Sequence, residues 1–153
     1  MLLYRLGKTK HAHKLDGVGA RDFPGRWNSY GNAMVYTSES SSTTVLEVRV
    51  HTKKLRRNLS MTTIEVPDGG STLTIPASKL PNGWNWMRYL ERVRTVGDEF
   101  LNGRKYLILR VPSAVDPKAW NYLLNPFHPD MAKVKVVKVE PYSLDSRLFL
   151  VKK

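Results

Sequence analysis

Short stretches rich in aliphatic and aromatic residues recur along the chain and limit what it can fold into. "LLYRL" (2–6), "AMVYT" (33–37), "TTIEV" (62–66), "KYLILRV" (105–111), "KVKVVKVE" (133–140) and "RLFLV" (147–151) all read as strands, and the turn signal "PDGG" closes the third. Helical spacing is clear in one place only. Trp86, Tyr89, Leu90, Val93, Val96 and Phe100 recur at that period, with an end predicted near "NG" at 102–103. "TVLEVRVH" (44–51) is ambiguous. Leu46, Val48 and Val50 alternate with Glu47, Arg49 and His51 like a strand, whereas Thr44 and Glu47 stand at capping-box spacing after the polar "SESSSTT". Strands outnumber helices and their connections are mixed, which predicts an α+β fold.

The chain has 153 residues, with no internal repeat and no linker long enough to divide it, so residues 1–153 are expected to form one domain. A hydrophobic share of 41% beside 25% charged residues is that of a soluble globular protein. No apolar run approaches the roughly 18–20 residues of a membrane span, and "MLLYRLGKTKHAHK" lacks the charged-then-apolar order of a secretory signal. Cysteine is absent, which excludes disulfides and thiolate zinc sites and fits a reducing cytoplasm.

The formal charge is +12 and the pI is near 10.1, a balance that favours polyanionic partners: nucleic acid, phosphorylated ligands or an acidic protein. Basic residues are spread along the chain, with local clusters at "KKLRR" (53–57) and in the "VKVVK" and "VKK" stretches near the end. A basic nucleic-acid-binding module is therefore one reading of the composition.

Few residues carry an obvious chemistry. His11 and His13 in "HAH" lack a third metal ligand and read as a surface pair, so no metal is expected. His51 reads equally as support for a site near Glu47 and as a structural imidazole, and His128 in "NPFHPD" reads as a turn residue. "GVGARD" (17–22) lacks the third glycine of a dinucleotide fingerprint, and no helix pattern follows it. The phosphate-binding "GKS/GKT", "HExxH" and "GxSxG" motifs are all missing. What remains is scattered: Arg5 on a strand, Arg26 in the loop "GARDFPGRWNSYGNAMVYTSES" (19–40), Tyr36, Glu47, and Ser113 in "RVPSAV". Spacing alone does not join them.

A resemblance does. "YRL", then the 19–40 loop preceded by "LDGV", then "VLEVRVH", "GDEFL", "LILRVPSAV" and "NYLLNPFHPD", in this order, are similar to the RES-domain toxins, a family named for its Arg, Glu and Ser positions. The likeness spans nearly the whole chain. It departs at Pro24, where a glycine is common, and at Phe100, where Trp is frequent. The resemblance implies a compact mixed fold similar to that of ADP-ribosyltransferases, and NAD⁺ as substrate. It implies consumption of NAD⁺ by hydrolysis or phosphorolysis, or ADP-ribosyl transfer to a protein, with growth arrest as the outcome. It also implies a partner, an Xre-family antitoxin whose acidic segment blocks the site, while direct nucleic-acid binding by this chain is not expected.

Carried over by motif, the resemblance implies catalytic roles for Glu47, Arg5 and Ser113, and contacts to NAD⁺ from Arg5, Arg26, Tyr36 and Ser113. It also implies that Glu47 lies on a helix. The residue types suit that ligand, since guanidinium groups hold pyrophosphate oxygens through charge-assisted bonds. An aromatic ring can lie against nicotinamide, and a carboxylate can stabilise the positive sugar formed when the glycosidic bond breaks.

Overall fold

The computed structural model describes residues 1–150. Among the described residues seven strands are formed: β1 (Leu2–Lys8), β2 (Val35–Ser38), β3 (Leu59–Glu65), β4 (Thr72–Thr74), β5 (Ile108–Pro112), β6 (Trp120–Leu124) and β7 (Lys135–Tyr142). They make one sheet in the order β4-β5-β6-β2-β1-β3-β7, antiparallel throughout except for the β4–β5 pair. Three α-helices accompany it: α1 (Val18–Asp22), α2 (Ser41–Val50) and α3 (Glu91–Gly103). The architecture is α+β.

The pairing is uneven, and that unevenness creates the site. β1 pairs with β3 along its full length, from Leu2↔Glu65 to Lys8↔Leu59. β2 pairs with β6 from Val35↔Leu124 to Ser38↔Asn121. Between β1 and β2, in the middle of the sheet, the register holds at a single position, Tyr4↔Ser38. Beyond it the strands diverge, and the 9–34 connection occupies the ground between them.

α2 is the helix that the resemblance implies, and its buried side is not the alternating one: Val45 and Val48 pack into the cluster around Leu6, Leu59 and Met61, whereas Leu46 and Val50 stay exposed. Other expectations need correction. The N-cap of α2 is Ser40, whose hydroxyl accepts from Thr43 N at 3.1 Å, so Thr44 is an internal, buried residue rather than the cap. α3 begins at Glu91, later than Trp86, because Gly83 at φ +76° and the turns after it carry the chain to the helix. A short helix, α1, does follow Gly17, whose φ of +68° and contact with the Met34 backbone admit no side chain. Of the stretch 147–151, residues 147–150 are not a strand: Ser146–Phe149 form a 3-10 turn capped by Asp145, and Val151 lies outside the described residues, as does the "VKK" cluster of 151–153. β4 and β6 were not anticipated.

Helix α3 fixes the arginine-bearing loop from behind. A β-carbon on Gly97 would lie 1.7 Å from the Trp27 carbonyl oxygen, so helix and loop backbone touch with no space for a side chain. The neighbouring Asp98 carboxylate accepts from Ser29 N at 3.0 Å and from Asn32 Nδ2 at 2.7 Å. Within the loop, the fully buried Asn28 donates to the carbonyls of Ala20 and Asn32 at 2.8 and 3.0 Å. Its Oδ1 accepts from Gly25 N and from the Tyr36 hydroxyl at 3.0 and 2.7 Å. One amide thus ties α1, the loop and β2 together. Gly97→Ala is expected to cost about 1–3 kcal/mol or more by overpacking, a fall in thermal midpoint of roughly 3–10 °C for a domain of this size. A melting curve superimposable on that of the unaltered protein would show that this close approach is absent.

Candidate active site

A cavity of about 820 Å³ lies where β1 and β2 part. Arg5, Arg26, Tyr36, Glu47, His51 and Tyr89 all line it. The volume falls in the range of ligand sites. Residues from β1, the 9–34 loop, β2, α2 and the segment before α3 therefore meet at one opening, although 84 positions separate Arg5 from Tyr89 (89 − 5).

Glu47 is the most firmly placed carboxylate in the cavity. It lies on α2, and its Oε1 accepts from Ser113 Oγ at 2.8 Å and from Asn121 Nδ2 at 2.6 Å. Both donors fall on one oxygen, which leaves Oε2 without a protein donor among the described residues. Ser113 itself is fully buried just after β5 and does not line the cavity. Its hydroxyl accepts from Val115 N and Asp116 N, both at 3.1 Å, so its proton is directed at Glu47. Ser113 thus acts on the carboxylate, while its neighbour Ala114 lines the cavity.

The two arginines differ. The Arg5 guanidinium donates to the carbonyls of Lys14, Ala12 and His11 at 2.6, 2.8 and 3.1 Å, clamping the start of the loop to β1. Burial lowers its pKa from the ordinary arginine value, with Asp16 opposing. Arg26 donates through one terminal nitrogen to the carbonyls of Trp84 and Trp86 at 2.6 and 2.8 Å, and its guanidinium lies 4.7 Å from the centre of the Tyr89 ring. Arg21, by contrast, forms an exposed pair with Asp22. Tyr36 places its ring on the cavity while its hydroxyl is committed to Asn28 and to Trp27 N at 3.0 Å. Burial raises the phenol pKa, so the group stays neutral. Gly25 is required beside it, since a β-carbon there would lie 2.6 Å from the tyrosine oxygen.

Among the cavity residues not singled out as site residues in the sequence are Asn121, Tyr89 and Thr52. Asn121 lies on β6, for which no strand was anticipated, and Tyr89 counted only as part of a helical pattern. His51, one helical turn beyond Glu47, stands with its ring 3.0–3.1 Å from the Tyr89 hydroxyl. Partial burial lowers the imidazole pKa, Glu47 opposes this, and Arg26 adds to it. The remaining histidines do other things. His128 Nδ1 accepts from Asp130 N at 3.1 Å, and among the described residues no group of three or more metal-ligating side chains includes His11 and His13. No helix among the described residues is long and apolar enough to cross a membrane.

With this geometry in view, relatives become informative. Residues 2–145 match the family model described as RES domain. A protein named Toxin Res from Pseudomonas putida is 37% identical across 97% of this chain and 100% of its own length. A protein named Prs ADP-ribosylating toxin from a Sphingobium species is 34% identical, covering 92% of this chain and 90% of its own. In the crystal structure of the M. tuberculosis MbcT–MbcA toxin–antitoxin complex, a chain with 19% identity matches with a TM-score of 0.74, over 93% of this chain and 84% of that one. The last is a likeness of fold. The first three findings establish that the chain belongs to the RES domain family.

Proposed function

We propose that this chain, a single domain over residues 1–153, is the toxin of a toxin–antitoxin pair and consumes NAD⁺ by breaking the bond between nicotinamide and ribose. The observation that carries the reading is the Glu47 carboxylate, held by Ser113 and Asn121 at the edge of a cavity that also contains Arg5 and Arg26. Breaking that bond leaves positive charge on the ribose, and a carboxylate already oriented can stabilise it without reorganising. Nicotinamide departs as a neutral molecule, so no strong general acid is needed at the leaving group.

In this reading Glu47 is the catalytic residue and Ser113 positions it. Arg26 meets the pyrophosphate. Arg5 adds charge and holds the loop wall, its remaining donors facing the same anion. Tyr36 offers its ring to the nicotinamide while Asn28 and Trp27 hold its hydroxyl. Arg56, from the basic 53–57 stretch, also lines the cavity, so part of the positive surplus serves an anionic ligand. That surplus equally suits an antitoxin of the Xre family whose acidic segment enters the cavity and blocks it. A toxin acting on NAD⁺ in this way would work in the cytoplasm.

Incubating the purified protein with NAD⁺, with and without inorganic phosphate, is expected to release nicotinamide. Product analysis then distinguishes ADP-ribose, its phosphorylated counterpart and modified protein. Glu47→Ala is expected to lower turnover about 10²–10³-fold, the usual worth of one preorganised electrostatic group. Intact NAD⁺ under every condition, together with no labelled protein in lysate supplied with labelled NAD⁺, would refute the reading. Ser113→Ala is expected to lower kcat while KM stays within about twofold, because the lost hydrogen bond orients Glu47 and does not touch the substrate. A rise in KM at unchanged kcat would instead place Ser113 in direct ligand binding. In bacteria without antitoxin, the unaltered protein should arrest growth and Glu47→Ala should not.

A further inference from the structure

Behind Glu47 lies a buried polar contact that the bond-breaking step itself does not touch. The Ser38 hydroxyl donates to Asn121 Oδ1 at 2.7 Å, and both residues are buried. They are cross-strand partners. Ser38 closes β2 and pairs with Asn121 of β6, so their side chains stand on one face of the sheet. Ser38 is also the β2 residue of the single β1–β2 bridge, opposite Tyr4. Helix α2 is seated at the same point, since Thr44 Oγ1 donates to the Tyr4 carbonyl at 3.2 Å. The residue that joins the two halves of the sheet therefore touches the amide that holds the carboxylate.

Asn121 can serve Glu47 in only one of its two orientations. A carboxylate accepts and does not donate, so Nδ2 must face Oε1, as it does at 2.6 Å, and Oδ1 must point away. Turned over, the amide would set oxygen against oxygen. A hydroxyl donor at Oδ1 selects the first orientation. Asn121 matters in turn because one donor, Ser113, would leave the carboxylate free to turn about a single bond. Two donors, one just after β5 and one on β6, fix its plane.

We propose that Ser38 is a positioning residue for the reaction, acting through Asn121: its hydroxyl locks the amide so that Glu47 keeps one orientation toward the cavity. The proposal rests on the NAD⁺-cleaving reading above. Both residues stand in the cavity wall, but Ser38 is only 4% exposed and its hydroxyl is committed to the amide. Its effect on turnover passes through Asn121 and requires no contact with substrate.

Nicotinamide release from NAD⁺ is measured for Ser38→Ala, Asn121→Ala and the double variant, with melting curves to establish that each is folded. Asn121→Ala should lower kcat about 10–100-fold and Ser38→Ala about 3–10-fold, as expected for loss of a charged and of a neutral hydrogen bond. KM should stay within about twofold in Ser38→Ala. Because Ser38 acts through the amide, adding Ser38→Ala to Asn121→Ala should change kcat less than about twofold. Asn121→Asp gives a pH signature. Two carboxyl groups at this separation share one proton and cannot both ionise. At low pH the shared proton replaces the lost N–H. As pH rises it is released and the two groups repel. Relative to the unaltered protein, kcat of Asn121→Asp should therefore fall about tenfold or more between about pH 5 and 8. The lock is also read without turnover. The Asn121 side-chain amide protons, followed by NMR, should exchange slowly in the unaltered protein and at least about tenfold faster in Ser38→Ala. Multiplicative losses in the double variant, an Asn121→Asp pH profile parallel to the unaltered one, or equal amide protection in Ser38→Ala would overturn the proposal. Absence of NAD⁺ cleavage by the unaltered protein would instead remove the underlying reading, and amide exchange would still decide whether Ser38 locks Asn121.

Discussion

A sheet held together at its centre by one bridging position is an unusual arrangement, and the rest of this protein is organised around it. Tyr4↔Ser38 joins two well-formed halves, β3 with β1 on one side and β2 with β6 and β5 on the other. Past that point the inner edges of β1 and β2 lose each other as partners, and their backbone groups need alternatives. Arg5, on β1, ties the start of the following loop to this region, its guanidinium donating to the carbonyls at positions 11, 12 and 14. The same divergence opens the cavity. A fully zipped sheet would have neither the opening nor the arginine in its wall.

Polar residues give the opening a fixed shape. Asn28, with no exposed surface, satisfies donors and acceptors from α1, the loop and β2, and Asp98 pins the far side of the loop to α3. Hydrogen bonds to charged groups contribute about 1.5–3 kcal/mol net, and a buried partner left unsatisfied costs about as much. Loss of one member therefore reaches beyond its own bond. The Ser113–Glu47–Asn121 cluster follows the same rule. A half-buried carboxylate is acceptable because two donors meet it, and its orientation is set before any ligand arrives.

Local signals made much of the fold readable. β1, β2, β3, β5 and β7 all fall on runs of aliphatic and aromatic residues, and the amphipathic stretch through Val93 and Phe100 is a helix. Where the local pattern was ambiguous, silent or misleading, a neighbour decided the outcome. The alternation at 44–51 suggests a strand, but Ser40 caps a helix and β1 offers a surface for Val45 and Val48. β4 is three residues long and exists because β5 lies beside it. Residues 147–150 have strand composition but no strand partner among the described residues, and Asp145 turns them instead.

The candidate site divides in the same way. The sequence by itself determined which residue types were present: arginines for an anion, one carboxylate in a helix-capable segment, a serine in a tight turn, and a glycine-rich loop able to approach a ligand. It also carried the ordered motifs that place the chain in the RES domain family. Only the tertiary structure decided what those residues face. Arg5 turns toward carbonyls as well as the cavity, Ser113 toward Glu47 rather than the cavity, and Tyr89, Asn121 and Thr52 join a site that no local pattern connects to them. The reason is physical. Residue type sets what a side chain can bond to, but its partners come from strands and helices distant in sequence, brought together when the apolar faces of the sheet are buried.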